Sequence, residues 1–470
     1  MNHLKHINRR HINGRMVAVM FGLVLGACTA SALAAAAAQQ AAQLEAPLLT
    51  AWGAEKAGNK EGTIPEYTGK GVKAPPTWDP KNPGQRPDPY GEKPLFSITA
   101  QNAAQYADKL DANLELFKRY PDFRMDIYPS HRDRVYPQYV LDNTAKNATA
   151  CKAVDNELKL VGCYGGFPFP NPKTGNQVMW NHLLTYQAWN LQGKVENWIV
   201  PPSGDPVMVE RGNFWYNWPY YDPAKTEPHP SNALFFRFLG KDEAPARLAG
   251  GQMLVHDAVD SLNIPRNAWL YMTGRRVTKI AAELAYDTPN PYTGGTATMD
   301  DAQGLSGALD RFDFRLVGKK EKFIYYNNFD LANQTACPIT KLAATKRFPN
   351  PDCIRWELHR VFVVEAKLKP NFRHLYKKRI FYWDEDSYGA GQVENYDSEE
   401  KLMRVNNIVS YPYFEAPAGF TASDVFMDLQ SGTYTPTGLA TCNGCGWWPV
   451  STRQPESMFT PEALAGGGVR

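Results

Sequence analysis

The sequence has 470 residues, with 51 lysines and arginines against 48 aspartates and glutamates, and a formal net charge of +3. Beyond the N-terminus, basic residues are interspersed with acidic ones, which excludes the clustered positive surface of a nucleic-acid-binding protein. Length alone permits one to three domains, since large β-sheet proteins often exceed roughly 200 residues as one domain.

The N-terminus has the pattern of a signal peptide. The apolar run of residues 16–27 follows four basic residues, Lys5, Arg9, Arg10 and Arg15. A basic region, a short apolar run and small residues in this order direct export. Removing these four charges from +3 leaves the remaining chain at −1. No later segment reaches the roughly 20 apolar residues of a membrane span, so we expect no transmembrane segment in the mature chain.

Two processing sites compete in this leader. Ala32-Leu33-Ala34 fits cleavage after Ala34, whereas Leu25-Gly26-Ala27-Cys28 resembles a lipobox that would leave a lipid on Cys28. We expect cleavage after Ala34 and a periplasmic protein. An outer-membrane lipoprotein anchored through Cys28 is the alternative.

Residues 35–95 form the predicted N-terminal strap. A short helix is expected within residues 35–49, but residues 65–94 contain eight prolines, which exclude a helix or a central strand. Tyr67, Trp78, Tyr90 and Phe96 favour an ordered strap laid across the domain, because disordered linkers seldom carry aromatic residues. A disordered linker is the alternative.

One amphipathic helix is predicted after the strap. Thr99 is available as its N-cap, and Tyr120-Pro121 ends it. Its apolar face would carry five residues at helical spacing, namely Ala103, Tyr106, Leu110, Leu114 and Phe117.

Downstream, the apolar pattern changes to a period of two, which indicates half-buried strands. Strands are predicted around residues 123–127, 207–209, 234–238 and 253–255. Hairpins are predicted over 267–280, turning at Thr273-Gly274, and over 354–383, turning at 369–371. The second hairpin continues as an antiparallel meander through strands 379–383, 392–396 and 402–408. Thr460-Pro461 predicts a short final helix.

Six cysteines remain after the leader, an even number in an oxidising compartment. Local pairing would join Cys151 with Cys163, Cys337 with Cys353, and Cys442 with Cys445. The last pair forms a CxxC motif, which serves as a structural disulfide, a redox pair or half of a zinc site. Gly446-Trp447-Trp448-Pro449 does not begin a helix, which favours a structural disulfide over a redox centre.

The remaining polar residues show no catalytic or metal-binding motif. The six histidines that follow the leader lack HxxH or HxxxH spacing, and no GxSxG is present. His256 and Asp257 are adjacent in a predicted strand, so their side chains point to opposite faces. Asp384-Glu385-Asp386 is interpreted as a solvated turn, with a calcium site as the alternative. We therefore expect no catalytic residue, no cofactor and no metal ligand.

Aromatic residues make up 12% of the chain and cluster in the predicted strands. Alternate members of such a run occupy both faces of a strand, so both faces must contact apolar groups. One face belongs to the core. The other is covered by the helix and strap, or lines a groove for a hydrophobic ligand, for which five candidate residues stand out: Trp215, Phe236, Trp269, Tyr271 and Trp356.

Several segments together resemble the bacterial envelope family called domain of unknown function 1329, which is related to the LolA/LolB-like lipoprotein carriers. They span nearly the whole mature chain, at 53–65, 167–175 with 180–184, 218–222, 268–271 with 274–277, 316–321, 356–360 with 364–370, and 459–464. The resemblance implies a mainly β (α+β) fold with a large curved antiparallel sheet, a half-open β-barrel, around a few helices and an apolar interior. It also implies a periplasmic setting, often beside an outer-membrane protein and an RND-type transporter.

Residues and resemblance together predict a signal peptide over 1–34, the strap over 35–95 and one β-rich LolA/LolB-like domain over 96–470. The expected function is that of a non-catalytic carrier or adaptor for a lipid or other hydrophobic molecule. An enzyme acting on an envelope lipid and a structural partner of an outer-membrane protein are the alternatives.

Overall fold

The structure, a computed structural model, describes residues 48–273, 278–280 and 286–466, the side chains of 278–280 and 465–466 excepted. The chain divides into two compact units, residues 1–50 and 51–470. All described strands and helices belong to the second unit. The predicted signal peptide, Cys28, residues 35–47 of the predicted first helix and the Gly274 turn lie outside the described residues. Among the described residues, no helix is both long and apolar enough to cross a membrane.

The fold is mainly β. In chain order the strands are β1 Phe96–Ile98, β2 Met125–Ile127, β3 Lys152–Val154, β4 Lys159–Val161, β5 Asn190–Ile199, β6 Val207–Asn217, β7 Leu234–Ala244, β8 Gln252–Ala258, β9 Asn267–Tyr271, β10 Thr278–Ile280, β11 Phe312–Tyr325, β12 Trp356–Leu368, β13 Lys378–Asp384, β14 Gly391–Tyr396, β15 Leu402–Pro412, β16 Gly419–Asp428, β17 Thr433–Pro436 and β18 Gly446–Val450.

Within the described residues these strands form two large, mainly antiparallel sheets and a two-stranded ribbon of β3 and β4. The nine-stranded sheet runs β1-β2-β12-β13-β14-β15-β16-β17, with β11 also paired to β12. The seven-stranded sheet runs β10-β9-β8-β7-β6-β5-β18. The prediction of large antiparallel sheets is confirmed, and the strands are divided between two sheets where one curved sheet was expected.

Both predicted hairpins are present. β9 pairs with β10 through Leu270 and Thr278, and β12 pairs with β13 through Lys367 and Lys378. The connection between β12 and β13 covers 369–377 and is longer than the predicted turn. β14 and β15 then continue the meander at the predicted positions.

The helices are short. The α-helices are Ala107–Leu110, Asn113–Arg119, Gln138–Ala150, Gly175–Leu183, Ile339–Leu342 and Pro461–Gly466, and 3-10 turns occur at Ala103–Tyr106, Pro219–Tyr221, Pro291–Thr293, Ala302–Gly304, Phe329–Ala332, Pro351–Cys353 and Glu456–Phe459. The predicted final helix is present, and the Thr460 hydroxyl accepts a hydrogen bond from the Ala463 amide at 3.3 Å.

The single helix predicted between the N-cap Thr99 and Tyr120-Pro121 is wrong, because the chain breaks at Asp111. Asp111 has a positive φ of 49°, which a helix cannot accommodate. Its carboxylate accepts hydrogen bonds from Lys320 at 2.8 Å and from Lys322 at 2.9 Å, both on β11. These long-range ion pairs hold the break in place.

Residues 51–95 lie in turns and extended segments, and several of their side chains are buried in the main core. Trp52 packs edge-on against Tyr136 with ring centroids 4.8 Å apart, and Trp78 contacts Phe414 at 5.4 Å. The fully buried Arg86 pairs with Glu415. These contacts are those of a packed segment, while the domain boundaries at residues 34 and 95 stay predictions.

The six described cysteines form three pairs at disulfide distance, Cys151–Cys163, Cys337–Cys353 and Cys442–Cys445. This is the local pairing that the sequence predicts. The first pair brackets the β3–β4 ribbon, so it joins the end of the helix Gln138–Ala150 to the segment that follows β4.

The two faces of the seven-stranded sheet have different coverings. Its outer face carries Leu239 and Leu254, which pack with Phe459 and Leu464 of the C-terminal segment. Its inner face borders the main core.

Candidate functional site

A cavity of about 180 Å³ lies where both large sheets and the segment 290–306 meet. Strands β5 to β8 provide one wall, and β16 provides the facing residues Ala422, Asp424 and Phe426. The arrangement follows from period two, because every second residue of these strands points to the same side. The fold therefore leaves a space between the two sheets at this point.

Aromatic residues dominate one wall of the cavity. Phe214 and Tyr216 from β6, Phe236 and Phe238 from β7, and Trp447 from β18 all line it. The Tyr216 ring lies 5.1 Å from Phe238 and 5.3 Å from Trp447, within the range of favourable aromatic contacts. Tyr216, Phe236 and Phe238 are only half-buried although they face inward. These three rings therefore keep accessible surface inside the cavity.

The opposite end of the cavity is polar. Glu210 and Asp242 line it beside Tyr292, and the Asn197 amide donates a hydrogen bond to Glu210. Burial, and then the charge of Asp242, raise the pKa of Glu210 well above its ordinary value, while burial raises the pKa of Asp242. The pair therefore holds a proton up to a higher pH than free carboxyl groups do. This end offers hydroxyl and carboxyl hydrogen-bonding groups with reduced negative charge.

Asp424 adds a third titratable carboxyl group to the lining. It accepts hydrogen bonds from the Asn406 side chain at 2.9 Å and from the Gln303 amide at 3.0 Å. Burial raises its pKa to about 7. Neither Asp424 nor the Glu210–Asp242 pair was identified from the sequence, because isolated acidic residues in strands carry no motif.

The five predicted ligand residues do not lie together. Phe236 lines the cavity. Trp215, Trp269 and Tyr271 lie on the outer face of the same sheet, against the C-terminal segment. The prediction placed these residues on one face with Phe236, but the sheet carries them on the face opposite to Phe236.

Trp356 lies in the main core, away from the cavity lining. It is 2% exposed, and its ring packs edge-on against Tyr325 at 4.5 Å. The candidate set is thus corrected to Phe236 with the aromatic residues Phe214, Tyr216 and Phe238 that share its face.

A second polar cluster lies at the turn after β13. The prediction that residues 384–386 form a solvated turn is wrong about the exposure to solvent, because Asp384, Glu385 and Asp386 are each at most 1% exposed. Glu385 pairs with Lys319 at 2.8 Å and Arg360 at 3.0 Å. These long-range cations make burial of the turn possible, and none of them is visible in the local sequence.

Asp386 and Asp384 differ in their partners. Arg132 makes two hydrogen bonds of 2.7 Å to the Asp386 carboxylate. Asp384 accepts from Ser387 and Tyr326 through Oδ2, and its Oδ1 faces His359. Burial, and then the charge of Asp386, raise the pKa of Asp384 to about 6. His359, Asp384 and Asp386 together could hold a metal ion, with ligand atoms within 4.8 Å of one another.

The His256–Asp257 pair has no catalytic geometry. The His256 Nε2 lies 2.9 Å from the Phe459 carbonyl oxygen, whereas Asp257 pairs with Arg266 at 2.6 Å. The two side chains therefore have separate partners, as expected for neighbours in a strand.

A family model described as "Protein of unknown function (DUF1329)" matches residues 97–465. The chain belongs to the DUF1329 family. It is 37% identical over 428 residues to an uncharacterized protein of Pseudomonas aeruginosa, covering 90% of this chain and 92% of that one. The sequence resemblance to this family is thereby confirmed.

Solved structures with a similar arrangement include a DUF1329 family protein from Desulfovibrio piger, at 12% identity and a TM-score of 0.38 over 59% of this chain and 92% of that chain. A LolA superfamily protein from Nitrosomonas europaea is similar at 10% identity and a TM-score of 0.37, over 62% of this chain and all of that chain. At these values the likeness carries no functional argument for this DUF1329 protein.

Proposed function

We propose that this DUF1329 protein is a non-catalytic carrier or adaptor that binds a lipid or another hydrophobic molecule in the cavity between its sheets. The observation that carries the proposal is the half-exposed aromatic wall of Tyr216, Phe236 and Phe238. Apolar side chains that face inward yet remain exposed lose contact with water when a ligand covers them. Each CH₂ group of the ligand that leaves water contributes about 0.8 kcal/mol.

The dimensions of the cavity favour a small or single-chain ligand. Its volume of about 180 Å³ is below the roughly 300–1,000 Å³ of sites for drug-sized molecules. An acyl chain against the aromatic wall would place a hydroxyl, amide or ester group near Glu210 and Asp242. The ligand class is therefore a single-chain amphiphile whose polar group forms hydrogen bonds.

The cellular setting is part of the proposal. The predicted signal peptide and three cysteine pairs at disulfide distance support the periplasm, where disulfides persist. A role beside an outer-membrane protein and an RND-type transporter is supported by the sequence resemblance alone. Intact mass of the exported protein tests the setting: cleavage after Ala34 gives a periplasmic form, and diacylglycerol on Cys28 identifies a membrane-anchored lipoprotein.

Binding of an apolar naphthylamine fluorophore tests the cavity directly. Phe236→Ala and Phe238→Ala each remove part of the aromatic wall, so each is expected to weaken binding about 10-fold, a loss of about 1.4 kcal/mol. Trp269→Ala is the matched control, because Trp269 lies on the outer face of the same sheet. This control should keep wild-type affinity.

The pattern across these variants distinguishes the alternatives. Equal binding by wild type and all three variants would overturn the cavity proposal and favour a structural role.

Mass spectrometry of lipids extracted from protein purified out of its own periplasm identifies the ligand. Turnover of that lipid during incubation with the protein would instead identify an enzyme.

A further inference from the structure

Two buried histidine–aspartate contacts in the described part of the chain differ in their nitrogen–oxygen distance. His374 Nε2 lies 3.0 Å from Asp300 Oδ2, a hydrogen-bond distance, and Asp300 also pairs with Arg379. His359 Nδ1 lies 3.6 Å from Asp384 Oδ1, which is too long for a hydrogen bond. Asp384 Oδ1 is buried and has no hydrogen-bond partner among the residues that the structure describes. The second contact therefore leaves a gap between a nitrogen and an oxygen atom.

The ring of His359 is held so that Nδ1 faces this gap. Its Nε2 lies 3.1 Å from the Glu357 carboxylate, and the ring stacks on Tyr326 with centroids 3.8 Å apart. Glu357 is itself fixed by Arg355 at 2.5 Å. A carboxylate on one imidazole nitrogen is the usual way in which proteins orient the other nitrogen towards a metal ion.

The register of β12 and β13 brings the aspartates to the same place. Val361 pairs with Asp384, so His359 and Asp384 share one face of the hairpin by alternation. Asp386 follows in the turn after β13. Their ligand atoms lie within 4.8 Å of one another, and all three residues are buried. Arg132 uses two acceptor positions of Asp386, and an ionised carboxylate offers about four. Asp386 can therefore also bind a cation.

Charge balance singles out Asp384. Glu385 and Asp386 have arginine or lysine partners, whereas Asp384 has neither among the described residues and pairs only with His359. A buried carboxylate without a full counter-charge is costly, by several kcal/mol in typical cases. A cation in the gap would remove that cost.

The spacing suits a transition-metal ion. Two metal–ligand bonds of about 2.1 Å that meet at about 118°, an angle close to that of a tetrahedral site, hold their ligand atoms about 3.6 Å apart. His359 Nδ1 and Asp384 Oδ1 are separated by this distance, 3.6 Å. A carboxylate shift of about 1 Å at most brings Asp386 into range. We propose that His359, Asp384 and Asp386 bind a divalent transition cation of the Zn²⁺ class through one nitrogen and two oxygen ligands.

Zinc binding by the mature protein tests this site. Protein with intact disulfides and no polyhistidine tag is stripped with a chelator and titrated with Zn²⁺ by calorimetry. We expect one Zn²⁺ per chain, and about 100-fold weaker binding in His359→Gln and Asp384→Asn, each of which removes a ligand atom. Glu357→Gln should weaken binding about 10-fold to 100-fold, since the Glu357 carboxylate orients the His359 ring.

Asp300→Asn is the matched control, because Asp300 is an equally buried aspartate with a histidine partner outside this cluster. It should bind Zn²⁺ like wild type. A wild-type protein that binds no Zn²⁺, or variants that bind it unchanged, would overturn the proposal. If the variants fail to fold by circular dichroism, Co²⁺ absorption of the wild type decides: a tetrahedral spectrum supports the site, and the spectrum of hydrated Co²⁺ alone overturns it.

Discussion

The Arg86 guanidinium lies 2.6 Å from the Glu415 carboxylate, and Arg86 is completely buried while Glu415 is 25% exposed. Arg86 also donates to the Trp447 carbonyl at 3.2 Å and lies over the Tyr413 ring. This pair joins the N-terminal segment to the loop between β15 and β16. The packing of residues 51–95 therefore depends on a charge pair.

Glu415→Gln should destabilise the protein strongly, because it leaves a buried guanidinium without an anion. Breaking a buried pair costs about 3–5 kcal/mol, and partial exposure of Glu415 places this one near the lower end. Urea unfolding measures the effect. The control is Glu399→Gln, which removes the exposed Glu399–Lys401 pair and should change the free energy of unfolding by less than about 0.5 kcal/mol. Equal effects would contradict the assigned role of Arg86.

The carboxyl pair in the cavity predicts a loss of stability as pH rises. The folded protein raises the pKa values of Glu210 and Asp242 above the ordinary 4.5 and 3.8. The folded state therefore keeps a proton that the unfolded chain releases, and stability falls as pH rises above this range. Glu210→Gln keeps a hydrogen-bond donor towards Asp242 and should flatten the dependence. Melting curves between about pH 4 and about pH 8 test this, and parallel curves for both proteins would refute it.

Core and cavity aromatics should differ in their contribution to stability. Trp356 is 2% exposed, so Trp356→Ala should cost about 3–5 kcal/mol through lost transfer energy and the space left behind. Phe236 is half-exposed at the cavity, so Phe236→Ala should cost less than about 2 kcal/mol. Unfolding followed by far-UV circular dichroism compares the two. A larger loss for Phe236→Ala would show that the cavity wall is packed core.

The Cys151–Cys163 pair should stabilise the region around the β3–β4 ribbon. The two cysteines are separated by 12 residues, and closing a loop of this size contributes about 3 kcal/mol in the chain-entropy model. A Cys151→Ser/Cys163→Ser variant should unfold at a lower urea concentration, with its free energy of unfolding reduced by about 3 kcal/mol. Peptide mapping without reductant checks the pairing. Recovery of Cys151 as a free thiol would contradict it.

The sequence predicted strands β12 to β15 of the nine-stranded sheet, because these strands follow one another along the chain and each pairs with the next. It could not predict the break at Asp111, which depends on Lys320 and Lys322 of a distant strand. Residues 384–386 were misjudged for the same reason, since Arg132 is remote in sequence. Local patterns fix strands and turns, whereas burial of a charge depends on partners that only the tertiary fold supplies.

The candidate sites show the same division. Alternation predicted that Trp269 and Tyr271 share a face of their sheet. It could not predict that the C-terminal segment covers this face, so that the cavity lies on the other one. The sequence did not predict the His359 cluster, because the predicted hairpin ended at residue 383 and turned at 369–371, whereas the observed register places Val361 opposite Asp384. The HxxH rule missed it, since it searches one helix and this cluster spans two strands.

Strand β18 sets the order in which this chain can complete its fold. It pairs with β5, so Gly446 lies opposite Lys194 in the seven-stranded sheet. The meander from β5 to β10 can assemble early, but its edge at β5 stays unpaired until almost the whole chain has been synthesised or exported. An unpaired strand edge is prone to aggregation, and closing so long a loop slows folding. Synthesis of this chain therefore leaves an incomplete sheet exposed from the completion of β10 until β18 has emerged.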